Sequence, residues 1–302
     1  EIASCLVGSE MCIRDSTSCL MINNVLNKRL LLPALALMAA ANTAHADDYG
    51  VWTELTVQKS LSKQWSVDAG IDLRAENKLK DFTRYGVSVG VGYKPCSYVS
   101  LGAGYNFLRD YNLEETKYEY RTSGALKNCK VDDAFWRSKH RATFDVTGSL
   151  PVGRFTLSVR ERYQYTHFVA TTTLRTVYKS PLNADQLAGY TGPVYECGGN
   201  KFATLEVDPE RPKAAKDRHY LRSRFGVEYN IKHCAWTPYL TYEFSNDMSN
   251  QLHLDKQRLT VGTEWKITKQ HRLDIAYVYS NGADDDNDSD IHVLSLGYKF
   301  KF

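Results

Sequence analysis

From residue 49 to the end of the chain, apolar and polar residues alternate. Leu259, Val261, Thr263, Trp265 and Ile267 fall on one face of a segment whose other face is Arg258, Thr260, Gly262, Glu264 and Lys266. Tyr85, Val87, Val89, Val91 and Tyr93 alternate in the same way with Arg84, Gly86, Ser88, Gly90, Gly92 and Lys94. A period of two is the spacing of a β-strand, whose successive side chains point to opposite faces. The pattern predicts eleven strands, at 49–58, 64–74, 82–93, 98–109, 134–149, 153–168, 218–231, 235–246, 254–267, 271–280 and 290–302. The 20 Tyr, 19 Gly and only 8 Pro suit sheets and turns. A mean hydropathy of -0.44 excludes a bundle of transmembrane helices. A formal net charge of +3 lacks the basic excess of a nucleic-acid-binding protein.

The connections sort by length. Those at 94–97, 150–153, 231–234 and 268–270 are short; those at 110–133, 169–217, 246–253 and 281–290 are long. Short turns at one end and long loops at the other are the layout of an outer-membrane barrel. Such a barrel must close on itself, because lipid offers no partner to an open sheet edge. The fold class expected is therefore all-β, an antiparallel transmembrane outer-membrane β-barrel of 10–12 strands with long extracellular loops. Trp65, Tyr93, Tyr105, Trp236, Trp265, Tyr279 and Tyr298 sit near strand ends, where an aromatic girdle needs them. The odd count is a difficulty, since bacterial single-chain barrels are even-numbered. Either 49–58 stands outside a ten-stranded barrel, or one strand of a twelve-stranded barrel is misplaced.

The chain ends and the front of the sequence fit this reading. Leu294, Leu296, Tyr298, Phe300 and Phe302 occupy every second position to the last residue. Tyr298, Phe300 and Phe302 resemble the signal by which the barrel-assembly machinery takes up outer-membrane proteins. Met21 opens a segment with Lys28 and Arg29, an apolar run at 30–38 and the small-x-small sequence Ala44-His45-Ala46. This is the pattern of a secretory signal peptide, 21–46, cleaved near Ala46. Residues 1–20 precede that methionine without strand or helix periodicity and resemble a non-native leader. A single barrel domain at 47–302, located in the bacterial outer membrane, is the expectation.

The inner face of the alternation is charged. Arg141, Arg160, Arg162, Arg222 and Arg224 cluster on three consecutive strands, and Asp68, Asp72, Glu228, Glu243, Glu264 and Asp274 share the inner face elsewhere. Two readings fit: a channel with an asymmetric field, or ion pairs that fill a narrow lumen. Glu161 falls on the nominally lipid-facing side. Cofactor sites are not expected. The sequence holds no Gly-x-Ser-x-Gly elbow, His-Glu-x-x-His zinc site or phosphate-binding glycine loop. For a metal, the weak candidates are Asp284, Asp286, Asp288 and Asp290 in an acidic loop, whose oxygens suit a hard divalent cation or a bridge to lipopolysaccharide.

Trp52-Thr53-Glu54-Leu55-Thr56-Val57 through Trp65-Ser66-Val67-Asp68-Ala69-Gly70-Ile71-Asp72-Leu73-Arg74 resembles the opening hairpin of the family catalogued as domain of unknown function 2490. Leu101-Gly102-Ala103-Gly104-Tyr105-Asn106-Phe107 resembles its following strand. The resemblance spans about 47–302. It implies an outer-membrane barrel of Gram-negative bacteria and carries over no functional residue. The long excursion at 169–217 departs from the shorter loops of that family.

Three functions follow as alternatives: a porin-like or structural barrel without catalytic activity, a lipid-modifying enzyme using His140 with Ser158 or Ser138, and a surface-binding barrel using 110–133 and 169–217. Outer-membrane lipid and lipopolysaccharide are the expected surroundings; nucleic acid is not an expected partner. Four cysteines follow the signal peptide: Cys96, Cys129, Cys197 and Cys234. An oxidising compartment favours disulfides. Cys129 and Cys197 fall in the two long outer loops, whereas Cys96 and Cys234 fall in short turns at the opposite end. A disulfide needs Cα atoms within about 7 Å, so Cys129–Cys197 is the expected bond. Cys96–Cys234 would need a flattened barrel end.

Overall fold

The computed structural model describes residues 48–281 and 290–302. The leader, the signal peptide and Asp284, Asp286 and Asp288 lie outside the described residues. In chain order the strands are β1 (Asp48–Ser60), β2 (Trp65–Glu76), β3 (Asp81–Tyr93), β4 (Val99–Asn112), β5 (Glu115–Tyr120), β6 (Leu126–Asp132), β7 (Phe135–Val152) and β8 (Phe155–Phe168). There follow β9 (Thr171–Leu182), a short helix α1 (Ala184–Ala188), β10 (Tyr195–Cys197), β11 (Asn200–Lys213), β12 (Lys216–Tyr229), β13 (Trp236–Asp247), β14 (His253–Lys266), β15 (His271–Asn281) and β16 (Ile291–Lys301).

Eleven strands close a barrel in the order β1-β16-β15-β14-β13-β12-β8-β7-β4-β3-β2. They are the eleven that the alternation predicts, with ends moved by up to three residues. Neither even-numbered resolution of the count holds. Antiparallel neighbours alternate in direction, so an odd ring closes only through one parallel pair. That pair is β1 with β16, in register from Asp48↔Ile291 to Gln58↔Lys301. All other barrel neighbours are antiparallel.

The two faces differ as the period of two requires. Leu55, Ile71, Val87, Val89, Phe144, Val159, Phe225, Leu240 and Val261 are exposed outside, Val87 and Val89 at 56% each. Large apolar side chains exposed all round a closed barrel make a surface suited to lipid, not water. Aromatic pairs mark the short-turn end, with Trp236 on Trp265 at 5.1 Å and Trp65 on Tyr93 at 4.6 Å. Tyr239 points inward and donates to Asp274 at 2.9 Å.

The two long excursions carry strands of their own. They form a second antiparallel sheet, β10-β11-β9-β6-β5, at the long-loop end. Cys129 on β6 and Cys197 on β10 are disulfide-bonded, with Cα atoms 6.5 Å apart. Phe202 is fully buried against this bond, and the partly buried Tyr178 packs on it. Cys96 and Cys234 are not joined; both are free. Their turns, β3–β4 and β12–β13, are separated by β7 and β8 in the ring, and strands spaced about 4.8 Å apart hold them beyond bonding distance.

Candidate functional site

The interior divides into three levels. Uppermost, at the long-loop end, is a vestibule of about 380 Å³. The root of the outer sheet bounds it: Asp132 accepts from Arg175 at 2.5 and 2.6 Å and from Lys213 at 2.7 Å. The Arg175 hydrogen bonds, more than those of Lys213, hold the Asp132 carboxyl down to about 2 against the burial that opposes them. Below, Arg84 donates twice to Asp110, at 2.7 and 2.5 Å, and Lys139 lies 2.8 Å from the same carboxylate. The Trp52 ring is wedged between the guanidinium groups of Arg74 and Arg258, at 4.1 and 4.9 Å, and packs on Val278, Ile291 and Val293. Four cations, Arg137, Lys139, Lys216 and Arg218, surround the buried Phe168 ring at 4.4–5.6 Å. Alternation places the barrel residues among these on the inner face, where Trp52, Arg74, Arg84, Asp110, Arg137 and Lys139 line the vestibule.

At the middle level Glu243, only 7% exposed, gathers arginines from three strands. It accepts from Arg160 at 2.5 Å and from Arg222, and Arg258 lies 3.9 Å away. A small cavity of about 20 Å³ lies beside this cluster, lined by Gln164, Arg222, Glu243 and Arg258. Arg162 is held by Asp145 through both oxygens, and Arg141 donates to Thr166 at 3.4 Å.

The lowest level, toward the short turns, is open. One chamber of about 440 Å³ is lined by Arg160, Arg162 and Arg224 on one side and Glu54 and Asp68 on the other. A neighbouring space of about 400 Å³ takes in Glu228, Glu264 and Asp274. Arg272 donates to Glu264 at 2.8 Å, and Asp72 is paired with Arg74 at 3.4 Å. Of the inner charges named from the sequence, Asp68, Arg160, Arg162, Arg222, Arg224, Glu228, Glu243, Glu264 and Asp274 line these internal spaces, while Asp72 is placed by its pairing with Arg74 and Arg141 by its bond to Thr166. The sequence reading put Arg84 and Arg258 on the polar faces of their strands without counting them among the inner charges, and it missed Glu54, Asp145, Asp110, Lys139 and Trp52. The same period-two phase, applied to every residue of those strands and carried one residue further to Asp110, places them.

The outer face carries Glu161, which accepts from Ser223 at 2.6 Å. It also carries His140, bonded to Tyr105 at 2.6 Å. Ser158 lines the luminal space instead, so the barrel wall separates it from His140, and that pairing fails. Asp290 accepts from Tyr279 at 2.8 Å. Tyr298 meets His271 at 2.6 Å, and Phe300 stacks on Phe302. No group of three or more His, Cys, Asp or Glu able to hold a metal occurs among the described residues.

A closed ring of strands, apolar outside and charged inside, defines the class of transmembrane β-barrels of the outer-membrane kind. The chain belongs to the family described as "Protein of unknown function (DUF2490)", which matches residues 49–290. No curated protein matches it. Among solved structures, it is similar to the β domain of the Bordetella autotransporter Brka, with 12% identity, 79% of this chain and 83% of that one covered, and a TM-score of 0.43. It is also similar to the NanC porin, with 12% identity, 84% and 98% covered, and a TM-score of 0.41. A third likeness is the CymD monoaromatic hydrocarbon channel, with 6% identity, 77% and 83% covered, and a TM-score of 0.26.

Proposed function

We propose that this protein is a porin-like barrel of the bacterial outer membrane whose resting lumen is closed. The short turns lie in the periplasm and the disulfide-bonded sheet outside the cell, as loop length sorts in such barrels. The observation that carries the reading is the Glu243 cluster, in which one buried carboxylate draws arginines of three strands together inside the barrel. Buried charges are tolerated when each is paired, and Glu243 supplies the pairing for arginines of β8, β12 and β14. Outer-membrane lipid and lipopolysaccharide surround the apolar face, and the terminal strand, with Tyr298, Phe300 and Phe302, is what the barrel-assembly machinery would engage. Purified barrel in a planar lipid bilayer is expected to show no steady conductance. A continuous current from the wild-type protein would refute the closed lumen.

A second reading, presentation of the outer sheet as a binding surface, is favoured by one observation. The Cys129–Cys197 bond staples strands from both excursions into one unit, which a merely connecting loop does not need. Deletion of 172–212 tests it: unchanged adhesion of cells to host surfaces would remove the reading.

A further inference from the structure

The lower chamber has two poles of opposite charge that face each other. In the ring, β8 and β12 are each five strands from β1, counted in opposite directions, so they stand across the lumen from it. The pole on β8 and β12 carries Arg160, Arg162 and Arg224, and the pole on β1 and β2 carries Glu54 and Asp68; all five line one cavity of about 440 Å³, whose lining also holds Lys94 and the Asp145 that pairs with Arg162. That volume is in the range of small-molecule sites.

The sequence also hollows the chamber. The lining includes Gly90 and Gly104 on β3 and β4. A Cβ at Gly90 would come within 2.8 Å of the Asp68 carboxylate, and one at Gly104 within 3.0 Å of Thr143 Oγ1. Absence of a side chain there leaves the acidic pole uncovered. On the opposite pole, Arg160 spends one terminal nitrogen on Glu243, while its Nε is buried without a hydrogen-bond partner. A donor held out of water in this way is costly unless something accepts from it.

We propose that this chamber binds a small zwitterion of about dipeptide size from the periplasmic side. The ligand's carboxylate lies on the Arg160 and Arg224 wall and its ammonium on the Glu54 and Asp68 wall. A single charge would satisfy one wall and meet repulsion from the other; a zwitterion satisfies both. The periplasmic direction rests on the orientation proposed above, whereas the binding itself does not require a closed lumen.

The test is calorimetric titration of the full folded barrel in detergent with glycylglycine, N-acetylglycine (carboxylate only) and glycinamide (ammonium only). Glycylglycine is expected to bind saturably, with each singly charged analogue weaker by about tenfold or more. Arg224→Gln and Glu54→Gln should each weaken glycylglycine by a similar factor, in barrels whose heat-modifiable migration on gels shows that they fold. Equal binding of N-acetylglycine would mean that the chamber reads anionic charge alone and would overturn the proposal. So would wild-type affinity in both variants, or no saturable binding of glycylglycine. Conductance is measured separately, so failure of the closed-lumen reading would leave this result intact.

Discussion

Glu243→Ala removes the carboxylate at the middle of the lumen and leaves Arg160, Arg222 and Arg258 without it. Breaking one side of a buried ion pair costs about 3–5 kcal/mol, because the partner's charge stays in a poorly solvated place. The lower figure applies here, since the chamber beneath Arg160 is open to water and can rehydrate part of the charge. A loss of about 3 kcal/mol lowers the melting midpoint of a barrel of this size by roughly 6–12 °C. Repulsion among the released guanidinium groups also widens the constriction, so the variant is expected to conduct in planar bilayers where the wild type does not. Glu243→Gln keeps one acceptor oxygen and should fall between the two. Heat-modifiable migration on gels reads the midpoint, and single-channel recording reads the opening. A Glu243→Ala barrel that melts with the wild type and stays silent would show that Glu243 neither supports nor closes the lumen.

Loss of the outer disulfide by Cys129→Ser should leave the barrel melting unchanged and make the outer sheet more sensitive to trypsin; the 68-residue separation sets an upper bound of about 4 kcal/mol on the effect. Identical digestion rates would count against a stapling role. The carboxyl of Asp132 is depressed in the folded sheet, to about 2, so its contribution is complete above the unfolded value near 3.9 and is lost as pH falls from there through about 2. Digestion of the outer sheet by an acid protease should therefore accelerate across that window in the wild type and much less in Asp132→Asn. Thr53→Cys with Leu296→Cys, residues paired in the parallel seam, should cross-link on oxidation in a background lacking Cys96 and Cys234. A cross-link forming only with residues two positions away would move the register and refute the seam described above.

The barrel strands were legible because water and lipid divide their two faces. Val87 and Val89 face one environment while Gly86 and Ser88 face the other, and that contrast is written directly as a period of two. The outer sheet lacks this contrast. Along β11 the run Glu206, Val207, Asp208, Pro209, Glu210, Arg211 and Pro212 is exposed on both faces, so no alternation survives to be read, and the prolines argue against a strand. What holds β11 is the pairing with β9 and the small core around Phe202. Contacts of that kind join residues far apart in sequence and leave no periodic mark. The inner charges fall between these cases. Period-two phase put Arg160 and Glu243 on one face, but not in contact. β12 stands between their strands, and the long arginine side chain reaches over it. Such pairing follows from ring order and reach, neither of which a single strand's pattern contains.

The odd strand does more than complete the ring. β1 runs in the direction of β16, so it can join the barrel only through a parallel seam. It carries Trp52 and Glu54 on its inner face. Trp52 is the ring held between Arg74 and Arg258 above the Glu243 cluster, and its indole nitrogen donates to Glu76 at 2.7 Å. Glu54 is part of the acidic pole opposite the arginines. A ten-stranded ring closing β2 onto β16 would lack both residues and would bring the acidic and basic walls closer together. The eleventh strand therefore widens the lower chamber and supplies the aromatic group that fills the lumen above it. Parallel pairs are slightly less stable per residue than antiparallel ones, and the eleven paired positions between β1 and β16 spread that deficit along the whole seam. The same strand thus accounts for the parity, the filling of the upper lumen and the charge separation of the lower one.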